Sequence, residues 1–194
     1  MDPKEYIHFL NVIEKLKCNT RHSWTSSGRR ESVAEHSWRI AVMAMLCEQD
    51  LPELDMNKVI KMCLIHDWGE AITGDIPAFD KTKAHEAVEA QAIAQLLTML
   101  PESMAAEYGA LFTEMDALQT PESKLFKSLD NMEALVSHNE ADISTWTPKE
   151  YEYNLIYGDK NCSWCDWTQT LRDELRVQCL EKIEREAPRG DEHA

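Results

Sequence analysis

The apolar residues of this chain recur at helical spacing in segment after segment. Its 6 glycines and 7 prolines fall between those segments. No segment alternates as a half-buried strand does, so the pattern predicts an all-α protein of helices and short loops. Residues 4–18 read as a first helix, with Tyr6, Phe9, Leu10, Ile13 and Leu16 on one face. Asn19 to Arg30 reads as a polar loop marked by Ser26, Ser27 and Gly28. Ser32 followed by Glu35 is a capping-box pattern opening a helix to about Asp50. Asp55 caps a helix running to about Thr73, which Gly74, Asp75, Ile76 and Pro77 break. Further helices are expected over about 82–99, 101–118 and 121–140, with Pro101 and Pro121 in first turns. A looser part holding Pro148 and Gly158 precedes a last amphipathic helix over about 163–186. The expected organisation is one domain over 1–187 with a frayed tail over 188–194.

Charge narrows the partners. The formal net charge is −15 and the sequence pI is near 4.8. A nucleic-acid polymer needs a basic surface, so none is expected as a partner. A small anionic substrate would need a local cation and a few placed Arg or Lys residues. The N-terminus lacks a signal-peptide pattern, and no apolar run approaches the ~18 residues of a membrane span. A cytoplasmic protein with no membrane partner is expected, its six cysteines reduced. Cys162 and Cys165 form a lone CxxC without the two further ligands that a structural zinc site uses.

The informative residues are polar ones standing on apolar stripes. His36 fills the gap between Val33 and Ile40 on a face continued by Met43, Ala44 and Cys47. Met56, Val59, Ile60, Cys63 and Leu64 lead into His66, Asp67 and Glu70. Asp130 lies between Phe126 and Ala134 at spacings of four. A lone buried His is ordinarily a hydrogen-bonded core residue, and a lone core Asp a cap or an ion pair. Four such residues on three helices are better explained by one divalent ion, which neutralises both carboxylates and uses both imidazoles as neutral donors. Two N and two O ligands suit Mn, Co, Fe, Ni or Zn without choosing among them. Glu70 shares the face of His66 and Asp67 and could act on water beside the ion.

The ordered set S-V-A-E-H-S at His36, I-H-D-W-G-E over 65–70, G-D-I-P over 74–77 and L-D-N at Asp130 resembles the HD-domain superfamily. Within it, the chain is similar to the 5′-deoxynucleotidase branch over about residues 5–140. The resemblance implies an HD-domain helical bundle, often a homodimer, that hydrolyses 2′-deoxyribonucleoside 5′-monophosphates to nucleoside and phosphate. By motif it implies His36, His66, Asp67 and Asp130 as ligands of one divalent transition metal, and Glu70 as the catalytic acid. It implies Asp75 beside the sugar and leaving oxygen, and Arg21 as the residue that orients the phosphate. Asp75, Ile76, Pro77 and Ala78 would line the substrate site, with Asp67 and Asp130 also touching substrate. Bacterial members carry a Trp directly after that Arg; here His22 follows and Trp24 comes three positions on, a candidate for the sugar-facing role.

Alternatives stay open on the residues alone. A two-metal HD enzyme, phosphodiesterase or di-iron oxygenase, needs more His ligands between the His-Asp pair and Asp130, where His85 is the only one. Other small phosphomonoesters and ribonucleotides are alternative substrates. A metal-holding module without turnover is the non-enzymatic reading, against which Glu70, Asp75 and Arg21 stand. Lys127, one turn before Asp130, is a further candidate for the phosphate.

Overall fold

The computed structural model of the chain describes residues 1–77 and 80–187. Ten helices appear among them: α1 (Pro3–Ile13), α2 (Val33–Leu46), α3 (Met56–Ile65), α4 (Glu70–Thr73), α5 (Lys83–Leu97), α6 (Glu102–Ala117), α7 (Pro121–Glu140), α8 (Glu150–Ile156), α9 (Asp159–Cys162) and α10 (Asp166–Glu186). The fold is predominantly helical, and its one sheet among the described residues is the two-stranded pair β1 (Thr20–Trp24) and β2 (Arg30–Ser32).

Local chemistry starts these helices where the sequence places them. Ser32 accepts from the Glu35 backbone N–H while Glu35 returns to the Ser32 N–H, the reciprocal cap of α2. Asp55 caps α3 through the Lys58 N–H. Thr120 caps α7, with Pro121 in the first turn. Thr82 caps α5 through the His85 N–H, and His85 Nδ1 accepts from the Thr82 N–H.

The core lies where α2, α3 and α7 meet. Ile40, Ala44, Val59, Met62, Cys63, Leu125, Leu129 and Met132 are fully sealed from solvent there. Each large side chain in such a core stabilises the fold by about 1.5–3 kcal/mol. Helix α6 packs on α3 and α7, and α10 closes the other side of α7 together with α8 and α9.

Three sequence expectations change. The polar loop over 19–30 is instead a hairpin, with Thr20 opposite Ser32, Trp24 opposite Arg30 and a bulge between. Its strand T-R-H-S-W has no apolar alternation; Arg21 anchors it through the buried Glu31 and Glu133. Gly28 takes φ +83° at its tip, a conformation that favours glycine. The first helix ends at Ile13 and a 3-10 turn over Glu14–Lys17 continues it. Only Phe9 of α1 is buried, whereas Tyr6 and Leu10 of the expected stripe are exposed. The helix expected over 55–73 breaks after Ile65, turns through His66–Gly69 and resumes as the single turn α4. Gly69 belongs to that break, because a Cβ there would lie 2.9 Å from Glu89 Cγ of α5. Its lack of a side chain lets α5 seat against α4.

Candidate metal centre and pocket

The break after α3 turns His66 and Asp67 toward α2 and α7. His36 of α2 is 1% exposed, and its Nε2 lies 3.2 Å from Asp130 Oδ1 of α7 and 4.0 Å from Asp67 Oδ2. His66 Nε2 lies 3.0 Å from Asp67 Oδ2 and 3.8 Å from Asp130 Oδ1. One nitrogen of each imidazole and an Asp67 oxygen thus lie within 4.8 Å of one another, and Asp130 Oδ1 adjoins both nitrogens.

The far side of each imidazole is anchored. His36 Nδ1 meets the Glu133 carboxylate, and His66 Nδ1 donates to the Cys63 carbonyl at 2.9 Å. Those bonds turn both Nε2 atoms toward the cluster, the tautomer a metal ligand needs. His66 Nε2 is buried and makes no hydrogen bond among the described residues. A buried acceptor in that state, facing two carboxylates, fits a divalent cation. Burial pushes the Asp67 carboxyl up, but His66 and His36 outweigh it and hold it at about 2. Burial also raises Asp130, and Lys127 with the two histidines brings it well below the ordinary range. Lys127 Nζ donates to Asp130 Oδ2 at 2.7 Å.

Glu70 opens α4 beside this cluster. It is 6% exposed, and its Oε2 is buried without a hydrogen bond among the described residues. Burial, then Asp67, Asp75 and Glu89, push its carboxyl up to about 10. Burial also raises Asp75. Lys81, held by Glu89 at 2.5 Å, is a nearby counter-charge. Asp67, Glu70 and Glu89 offer oxygens within 4.8 Å of one another, a second set of cation donors.

Arg21 reaches the cluster from β1. Its Nη1 donates to Glu31 and Glu133, both at 3.2 Å. Both carboxylates, Glu133 foremost, raise its pKa against the effect of burial, so the guanidinium is charged at any working pH. Both bonds use Nη1, which leaves the rest of the fork for another anion.

Arg21 and Asp75 stand on the wall of a pocket enclosing about 540 Å³, open mouth included. Pro77 and His22 also line it, whereas Trp24 and Ile76 do not. Trp24 instead packs under the Arg30 guanidinium, 4.5 Å from its ring centre, and edge-on to His22. Ala78 lies outside the described residues. His85 is engaged in capping α5 and is not among the clustered donors.

The profile of the HD domain matches residues 13–171. The chain belongs to the HD-domain family. Among curated relatives it is 29% identical to 5′-deoxynucleotidase hdd1 of Schizosaccharomyces pombe over 78% of this chain and 85% of that one. It is 32% identical to 5′-deoxynucleotidase HDDC2 of Homo sapiens over 71% and 68%. Among solved structures it resembles a predicted metal-dependent phosphohydrolase from Magnetospirillum magnetotacticum MS-1, with TM-score 0.76 and 32% identity over 94% and 93% of the two chains.

On this HD domain, sequence reasoning passed over Glu133. It is fully buried and joins His36, Arg21 and Ser137, the last at 2.8 Å. Burial raises its carboxyl, but His36 and Arg21 hold it at about 2. Its one signal was position: three residues after Asp130, it shares that helix face. Glu31 left no such signal, because it depends on the hairpin. Cys162 is buried and Cys165 partly so; both pack near Thr168, whose hydroxyl bonds the Cys162 carbonyl at 2.7 Å.

Proposed function

We propose that this HD-domain phosphohydrolase converts nucleoside 5′-monophosphates, deoxyribose forms included, to nucleoside and phosphate, using one divalent transition-metal ion per chain. The observation that carries this is the cluster of His36, His66, Asp67 and Asp130 set beside Glu70, with Arg21 and Asp75 lining the adjoining pocket. His36, His66, Asp67 and Asp130 would hold the ion. When bound, it supplies Lewis-acid chemistry, lowering the pKa of water and offsetting phosphate charge.

The chain's own groups divide the remaining work. Arg21 grips the phosphate oxygens with the part of its fork that Glu31 and Glu133 leave open. Glu70, set beside the cluster, orients the attacking water and, in its ionised form, takes its proton as the water oxygen bonds to phosphorus. The bond from phosphorus to the 5′-oxygen breaks, and Asp75 delivers a proton to that oxygen. The raised pKa of Asp75 suits it to carry that proton. Lys127 is committed to Asp130 and shapes the ligand rather than the phosphate.

The same reading makes the protein a cytoplasmic homodimer without a nucleic-acid or membrane partner. No helix among the described residues is long and apolar enough to cross a membrane. Exposed Tyr6, Ile7 and Leu10 on α1 support a subunit contact.

The test is phosphate release from deoxy- and ribonucleoside 5′-monophosphates with Mn, Co or a chelator. Release that the chelator abolishes is expected. No release from any nucleotide, or release indifferent to chelator, overturns the proposal. The Asp67, Glu70 and Glu89 set favours one second reading, a two-ion site. Two ions per chain in the active protein would select it.

A further inference from the structure

The outward face of α2 is apolar along most of its length. Trp38, Met45 and Leu46 are 63%, 60% and 76% exposed, and Val42 between them is partly exposed. Their spacing of i, i+4, i+7 and i+8 puts them in one stripe. His36, Ile40 and Ala44 fill the buried side of the same helix, so the stripe serves neither the core nor the metal ligands. An exposed aromatic aligned with Met and Leu has the composition of a contact surface.

Charge at the two ends of the stripe says what covers it. The N-terminal end runs into a groove lined by Lys17, Arg29, Arg30, Ala34, Glu35 and Trp38, three cations against one carboxylate. Arg29 is bonded to Glu35, which leaves Lys17 and Arg30 as the excess. Lys17 meets Glu14 only at 3.7 Å on the open surface, and Arg30 lies over the Trp24 ring. At the C-terminal end Glu48, Asp50 and Glu53 are exposed, and no Lys or Arg occurs between Arg39 and Lys58. The stripe is therefore positive at one end and negative at the other, and such a surface is complementary to itself when reversed. We propose that α2 packs antiparallel on α2 of a second copy of this chain, with Val42 at the two-fold axis. Reversal about Val42 sets Trp38 against the partner's Met45 and the partner's Leu46. It brings Lys17 and Arg30 toward the partner's Glu48 and the partner's Asp50. Each contact occurs twice, as a two-fold interface requires. The exposed patch on α1 has mixed charge at both ends, Lys4 with Glu5 and Glu14 with Lys15, and so does not orient a partner in this way.

The inference rests on the homodimer reading above and names its surface, so the test separates the two. Self-association of the full chain is measured by sedimentation over a concentration series, at low and high salt. The wild type is expected to form dimers that weaken as salt rises. Trp38→Glu is expected to weaken them by about 30-fold or more, the usual cost of losing a central aromatic anchor, with helix content by circular dichroism unchanged. Lys17→Glu and Glu48→Lys are each expected to weaken the dimer, and the two together to restore it, because the reversed charges meet again across the axis. These exposed positions keep the test decisive if Trp38→Glu fails to fold. A dimer that Trp38→Glu leaves intact, or one that Tyr6→Glu on α1 dissolves in its place, overturns the assignment to α2 while leaving the homodimer standing. A double charge variant as weak as the single ones overturns the antiparallel arrangement. A wild type that is monomeric at every concentration removes the homodimer reading and this inference with it, and leaves phosphohydrolysis untouched.

Discussion

Two buried glutamates flank the same cluster and live in opposite states. Glu133, behind the histidines, touches His36, Arg21 and Ser137, and its carboxyl is held at about 2. Glu70, on the other side, keeps one oxygen without a partner and is pushed up to about 10 by burial and by Asp67, Asp75 and Glu89. The first is satisfied and fixed; the second is unsatisfied and ready to exchange a proton. In the proposed mechanism the first positions other groups and the second reacts. A bound dication would favour the ionised form of Glu70, the form that a general base needs.

Glu70→Gln gives the largest expected effect. Turnover should fall by about 10²–10⁴-fold, while ion content measured by elemental analysis stays at the wild-type level. A variant near wild-type rate would break the contrast. Glu133→Gln comes next. Ion affinity should weaken by about 10–100-fold, as for other residues behind a metal-bound histidine. Excess metal should restore kcat but leave KM raised, because Arg21 has also lost an anchor. A titration showing unchanged affinity would reduce Glu133 to packing.

A carboxylate paired like Glu133 but far from the cluster provides a smaller control. Burial raises Glu114, but Lys58 at 2.8 Å and Thr120 outweigh it, and its pKa lies below the ordinary 4.5. A depressed folded pKa adds stability that is present above about pH 4.5 and lost as pH falls through the folded value. Glu114→Gln should therefore lower stability at neutral pH by about 0.2–1 kcal/mol and match wild type in acid melts. An equal difference at both pH values would contradict the pairing. Smallest of all is Trp24→Ala. Trp24 sits under Arg30 outside the pocket lining, so the ratio of deoxyribo- to ribonucleotide hydrolysis should not change.

The buried polar cluster was legible because its residues break a strong pattern. His36 and Asp130 interrupt apolar stripes whose other members form the core, and Ser32 with Glu35 and Thr120 with Pro121 punctuate those helices in standard ways. The hairpin was not legible, since β1 is held by Arg21 contacts to Glu31 and Glu133 rather than by apolar alternation. Buried charge was hidden for a similar reason. Glu133, Glu150, Arg172 and Lys182 are charged residues on their helices, yet all are at most 5% exposed. Arg172 is typical: it donates to the carbonyls of Tyr157 and Asn154, partners that exist only once α8 and α10 have packed. Residue type announced the polar cluster; only tertiary contact revealed what holds it.

The most direct measurement strips the ion with chelator and returns it in steps while phosphate release from a deoxynucleoside 5′-monophosphate is followed. The four-donor cluster predicts no release at zero ion, a rise with each addition and a plateau at one ion per chain. Release from the ion-free protein, or a plateau reached only at two ions, would contradict it.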